Sequence, residues 1–181
     1  NDSLIQRKFT KVGRSIQDEL RGISCIELET ITKNKKQIIS SRAFGKKMTR
    51  KKDIKEAVAS HVTKACEKLR KQGSTAGHLN VFIKTNRFSN THQTHDSKSV
   101  QFLSPTQSTL KVIKEALKIT DEIFKEGFKY HKCGVVLSDI YDQFESQYDL
   151  FSFGDTEKEI ELMKSLDLIN NYYGSESLKS A

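Results

Sequence analysis

No stretch of this sequence approaches the roughly 20 consecutive apolar residues that a membrane-spanning helix needs. The opening NDSLIQRKFTK also lacks the apolar centre of a secretory signal. No membrane partner is expected. The three cysteines, Cys25, Cys66 and Cys133, are odd in number, widely spaced and form no CxxC pair, so nothing frames a disulfide scaffold and a reduced, cytosolic setting is expected. Hydrophobic residues make up only 35% of the 181 residues, and part of the chain is expected to lie outside any core. Catalytic signatures are missing too. There is no GxxxxGKS/T phosphate loop and no GxSxG nucleophile turn, and Asp53, Asp96 and Asp139 fall in unrelated segments; catalysis by this chain alone is not expected. No period of 20 to 50 residues repeats. The first residue is not Met, and a piece of a longer protein is expected.

Charge is abundant and unevenly placed. From Asp142 onward there are nine acids and three bases, which leaves 28 bases and 14 acids before it. A basic body with an acidic tail points toward nucleic acid. From Lys33 to Lys52 the run KNKKQIISSRAFGKKMTRKK holds nine Lys or Arg and no acid. It surrounds and includes a β-prone stretch, so Arg42, Lys46 and Lys47 can follow a phosphate backbone along a sheet edge. Ser40, Ser41 and the main chain near Gly45 can donate to phosphate oxygens.

Periodicity gives the order of elements. FTKVGRSIQDELRG (9–22) has Phe9, Val12, Ile16 and Leu20 at helical spacing and stops at Gly22. IISSRAFG (38–45) is β-prone. DIKEAVASHVTKACEKLRKQG (53–73) puts Ile54, Val58, Val62, Ala65, Cys66 and Leu69 on one helical face, with Asp53 as expected N-cap and Gly73 as stop. HLNVFIKT (78–85) and SKSVQFLS (97–104) read as strands joined by a polar loop. STLKVIKEALKITDEIFKEG (108–127) repeats the helical pattern, and HKCGVVLSDI (131–140) supplies a last strand. The fold class is α+β. The order β-α-β-β-α-β predicts a four-stranded sheet with two helices on one face and the other face open to a partner, preceded by a short helix and followed by a tail. In that tail EKEIELMKSLDLINNYYG (157–174) is one further amphipathic candidate.

The hairpin loop KTNRFSNTHQTHD (84–96) carries His92 and His95 at HxxH spacing with Asp96, but zinc would need more ligands of fixed geometry. Its better reading is a polar hairpin loop whose Asn86, Arg87, Ser89, Asn90 and His92 can reach phosphates or bases, with Lys84, Arg87 and Lys98 expected on the phosphate backbone. An RNA-recognition module shares the same element order and would need stacked aromatics, for which Phe82 and Phe102 are candidates. A protein-interaction scaffold is a third reading.

Several blocks, in order, carry a family resemblance: ELRGISCIELE (19–29), IISSRAFGK (38–46), AVASHVTKACEKLRKQGSTAGHLNVFIKTNRF (57–88), SKSVQFLSPTQST (97–109) and CGVVLSDI (133–140). The chain resembles the C-terminal region of the UmuC-type, Y-family translesion DNA polymerases. That resemblance implies a remnant of the last thumb helix at 1–28, a linker at 29–37, a DNA-binding little-finger domain at 38–141 and an acidic tail at 142–181. It implies an error-prone polymerase of the bacterial SOS response as parent, cytoplasmic and nucleoid-associated when active. The palm, with its carboxylates and Mg2+, lies outside this piece, so no cofactor is expected here. The implied partners are duplex or primer-template DNA, the sliding clamp and a UmuD-like accessory subunit. The tail stretch ESQYDLFSF (145–153) fits the family's clamp-docking peptide through Gln147, Leu150 and Phe151. An amide for a polar subsite and two apolar anchors for a greasy pocket account for large side chains with no periodic partner.

Overall fold

The computed structural model describes residues 2–25, 34–89, 92–143, 154–174 and 177–178. The chain divides into two compact units, Asn1–Asn34 and Lys35–Ala181. The first contains helix α1 (Asp2–Leu20), kinked at Thr10, where φ is 63° and ψ −166°. It is longer than the apolar spacing alone suggests and stops before Gly22, which sits at φ 82°. The side chains of Phe9, Val12, Ile16 and Leu20 are exposed.

The second unit has the α+β order expected. Strand β1 (Ile38–Met48) leads to helix α2 (Lys51–Lys71), strands β2 (Ser74–Thr85) and β3 (His95–Thr106), helix α3 (Thr109–Ile123), strand β4 (Tyr130–Asp142) and helix α4 (Glu157–Tyr173). The sheet is antiparallel throughout, in the order β1-β4-β2-β3. Each strand runs further than its apolar alternation. Ser74, Thr75 and Ala76, for example, pair with Asp142, Tyr141 and Ile140, so neighbouring backbone rather than side-chain pattern sets where β2 begins. Helix α2 also begins early. Its N-cap is Arg50, not Asp53; the Asp53 carboxylate lies in the first turn, 3.7 Å from Arg50, where it suits the positive end of the helix. At the other end Gly73 takes φ 66° and donates its N–H to the carbonyl of Arg70, as a left-handed stop requires.

One face of the sheet and the inner faces of α2 and α3 form a single core. Ile54, Val58, Val62 and Leu69 of α2 and Val112, Ala116 and Ile119 of α3 pack with Leu79, Val81, Ile83, Val135 and Leu137 of the central strands. Tyr130 is fully buried, and its hydroxyl donates to the carbonyl of Lys125 while accepting from that residue's N–H. Cys66 and Cys133 are free thiols in this core. Burial pushes each up to about 12, which leaves them protonated and unreactive.

Helix α4 is bound to this core by charge as well as by contact. Thr156 and Glu159 close a capping box, and Met163 and Leu166 are buried. Arg70, 6% exposed, makes two 2.7 Å bonds to Asp167 and donates from Nη1 to the Gln107 carbonyl and the Thr109 hydroxyl. Asp155 accepts from the Thr106 hydroxyl, the Gln107 N–H and Lys111. The acidic end of the chain therefore supplies counterions to the helical side of the domain. Among the described residues no helix is long and apolar enough to cross a membrane.

Breaking a buried ion pair from one side strands the other charge, at a cost of about 3 kcal/mol. Asp167→Ala is therefore expected to lower the thermal midpoint by roughly 10 °C. Arg70→Met combined with Asp167→Leu should recover most of that loss, both read by calorimetry; equal stability of Asp167→Ala and wild type would contradict the burial of Arg70.

Candidate nucleic-acid interface

Side chains alternate across a strand, and the pairing register sorts the sheet's residues into two sets. The helix-facing set includes Ile38, Ser40 and Arg42, the core residues of β2 and β4, and Lys98, Val100 and Phe102 of β3. The other set forms cross-strand rows: Ala43, Lys132, Lys84 and His95; Ser41, Gly134, Phe82 and Ser97; Ile39, Val136, Asn80 and Ser99; and Ser138, His78 and Gln101. These rows hold no carboxylate. Gly134 is buried, and the other residues of these rows are partly to fully exposed, with Ile39 at 54%.

The middle of this face is tightly fitted. A Cβ on Gly134 would stand 2.3 Å from the Ser41 Cβ and 2.6 Å from the Phe82 Cζ, so only glycine lets the Phe82 ring lie across β4. The His95 ring stands edge-on to Phe82, centroids 6.4 Å apart. His78 Nδ1 and the Ser138 hydroxyl are 2.9 Å apart. On the helical side three cations meet carboxylates: Lys55 with Asp121 at 2.7 Å, Lys125 with Asp96 at 2.6 Å, and Lys98 with Glu122.

The nine residues read from sequence as one DNA surface divide between these sides. Ser41 and Lys84 lie on the open face. Arg87 is exposed just past the end of β2. Gly45, Lys46 and Lys47 are exposed toward the end of β1, where pairing with β4 breaks between Ala43 and Met48, and nothing lies within 4 Å of a Cβ built on Gly45. Ser40 is 8% exposed and its hydroxyl is 3.1 Å from His61 Nδ1 on α2. Arg42 shares that side of the strand, and Lys98 is engaged with Glu122. Asn90, Gln147, Leu150 and Phe151 lie outside the described residues.

Lys132, His95, His78 and Asn80 belong to the open face and were missed by sequence reasoning. Counting alternate positions outward from Leu79, Val81 and Ile83 would have found Asn80 and His78, and the same count in HKCGVVL would have found Lys132. The two candidate stacking aromatics do not share a face, because Phe102 packs against the core while Phe82 lies on the open side. Among the described residues no three His, Cys, Asp or Glu side chains converge.

Residues 35–150 match the family described as impB/mucB/samB family C-terminal domain. The chain is 34% identical over 177 residues to Protein UmuC of Salmonella typhimurium, covering 97% of this chain and 42% of that protein. It is 36% identical over 173 residues to Protein SamB of Salmonella typhimurium, covering 94% and 41%. DNA polymerase IV of Bacillus anthracis is 23% identical over 180 residues, covering 96% and 42%. The chain thus spans about two-fifths of the length of these relatives.

Burial, followed by the positive charges of Lys64, Arg42 and Lys132, holds His61 below its ordinary titration range. A histidine whose folded value is depressed binds its proton more readily when unfolded. Its contribution to stability is complete above the unfolded value of about 6.5 and is lost as pH falls below it. The thermal midpoint is expected to drop between about pH 7.5 and 5.5, and His61→Gln should flatten that drop; a variant as pH-sensitive as wild type would assign the effect elsewhere.

Proposed function

The chain belongs to the impB/mucB/samB family, and from that membership we propose that it is the DNA-gripping and sliding-clamp-tethering portion of an error-prone translesion DNA polymerase of the SOS response. The observation that carries the reading is the partition of charge across the sheet. Lys84 and Lys132 are register neighbours on a face whose rows hold no carboxylate, with Arg87 at one end. Three cations opposite are paired with carboxylates, Lys55 and Lys98 with Asp121 and Glu122 of α3 and Lys125 with Asp96 of β3. Two adjacent lysines, with Ser41 and Ser97 in the next row and Asn80 and Ser99 in the one beyond, suit contact with phosphates and sugars rather than base edges. Grip of that kind tolerates a distorted or damaged base, which is what lesion bypass demands. The single-stranded RNA reading needs two aromatic platforms, and the inward packing of Phe102 speaks against it.

The clamp contact is assigned to Gln147, Leu150 and Phe151. Both flanks of the segment 144–153 are held: the Gln143 N–H donates to the Gly73 carbonyl at 3.0 Å, and Asp155 is fixed to Thr106, Gln107 and Lys111. A peptide anchored at both ends loses less conformational freedom on docking than a free tail. The chemistry of nucleotide transfer is assigned to the palm that the family resemblance implies, and a UmuD-like subunit is the further partner that the resemblance carries.

Wild-type chain should bind a primed DNA duplex weakly and without sequence preference, with log K falling against log salt at a slope of roughly −4. Affinity unchanged across a several-fold rise in salt would remove the electrostatic reading.

Leu150→Ala with Phe151→Ala should abolish binding to purified sliding clamp in calorimetry while DNA affinity stays as it was, because two apolar anchors dominate so short an interface. Clamp binding that survives the double substitution would refute the assignment.

A further inference from the structure

We propose that the cleft at the end of the β2–β3 hairpin is a phosphate subsite in which Lys84, Arg87 and His95 close on a single backbone phosphate; this rests on the nucleic-acid reading above. The cleft has a volume of ≈ 360 Å³ and is lined by Lys84, Thr85, Arg87, Gln93, Thr94 and His95. Every one of these side chains is basic or polar, and none is a carboxylate.

The neck of the hairpin is tied by crossed bonds. The Thr85 N–H donates to the Thr94 carbonyl at 3.0 Å, and the Thr94 N–H donates to the Thr85 hydroxyl at 2.9 Å. Lys84 and His95 are register partners across this neck. Beyond it the turn is set by the Phe88 N–H on the Asn86 side chain at 3.0 Å and by the Gln93 amide on the Arg87 carbonyl at 2.8 Å. Donors from both arms are thereby held around one space before any ligand arrives, which reduces the ordering cost of binding.

The nearest acid is turned out of the cleft. Asp96 lies on the helix-facing side, where Lys125 and the Thr94 hydroxyl donate to its two oxygens. Burial works against its charge, but those bonds outweigh it and hold the carboxyl below the usual carboxylate range. Among the described residues Lys84 and Arg87 meet no carboxylate. A planar carboxylate would be satisfied by Arg87 alone, whereas three donors, Lys84 from β2, Arg87 from the turn after it and His95 from β3, around one cleft match a tetrahedral anion. The same row continues through Lys84 to Lys132 on the open face, so a chain leaving the cleft meets a further cation, as a phosphodiester backbone would.

The test is a salt titration of the full chain on a primed duplex, with Lys84→Gln, Arg87→Gln and the pair together. If both cations neutralise one phosphate, the double variant loses about one unit of slope and about tenfold in affinity, with the thermal midpoint unchanged. A loss of about two units, meaning two separate phosphates, or no loss, overturns the subsite. Duplexes with and without a 5′-terminal phosphate should bind equally; dependence on the terminal group would overturn the backbone assignment. Titration of inorganic phosphate, followed through the His95 imidazole resonances, separates this subsite from the broader function. A His95 response without duplex binding keeps the subsite and removes the DNA-grip reading, while duplex binding that neither variant alters removes the subsite alone. Absence of both responses removes both.

Discussion

A four-stranded antiparallel sheet covered by helices on one side alone must leave its other side to something else, and strand alternation decides which residues that side receives. A shift of one residue in any strand would exchange the two sets completely. The register is held where Leu79, Val81, Ile83, Val135 and Leu137 meet α2 and α3. With those five fixed, Lys84 and Lys132 have no freedom to face the helices, and Ser40 and Lys98 have none to face outward. Consecutive serines show how sharp the division is. Ser40 bonds to His61 beneath the sheet, while Ser41 stands against the bare Cα of Gly134 above it.

This constraint also explains what the sequence made legible. Element order, the two long helices and the core came through because burial imposes periods of 3.6 and 2 on apolar residues, and DIKEAVASHVTKACEKLRKQG carries such a period over its whole length. Strand ends and the start of α2 did not, since they depend on backbone pairing and on the first-turn charge of Asp53. The site was half legible. Composition located the cations, but a dense run such as SSRAFGKK gives no apolar rhythm from which to count faces, so Arg42 was grouped with Ser41 although alternation puts the two on opposite sides of the sheet. Lys132 escaped for the opposite reason, because it sits in an apolar strand where a lysine draws little notice.

Arg70 shows how the acidic end of the chain belongs to the basic body. A guanidinium 6% exposed requires both charge balance and partners for its donors. Asp167 gives the first, and with the carbonyl of Gln107 and the hydroxyl of Thr109 it supplies partners for four of the five N–H groups. The same residue shares the environment of Cys66, so the charge lies at the very edge of the core. Asp155 serves the N-terminal approach to α3 in a similar way. Asp155, Glu159 and Asp167 are thus spent on Lys111 and Arg70 of the helices, away from the sheet face that bears Lys84 and Lys132.

Separation of the two charged sides has a consequence for the proposed function. A grip made of a few phosphate contacts is weak and exchanges quickly, because each contact competes with salt. Such a domain holds a polymerase on DNA for long only when a second attachment raises its effective concentration there, and a tether of limited length does so by orders of magnitude without any new DNA contact. The described residues on either side of 144–153 are bonded to the domain that carries the grip, Gln143 to Gly73 and Asp155 to Thr106 and Lys111. On the proposed reading, a clamp contact between them and a duplex on the open face would be linked through one domain, and modest affinity at each of two linked sites gives residence that can still be ended by releasing either one.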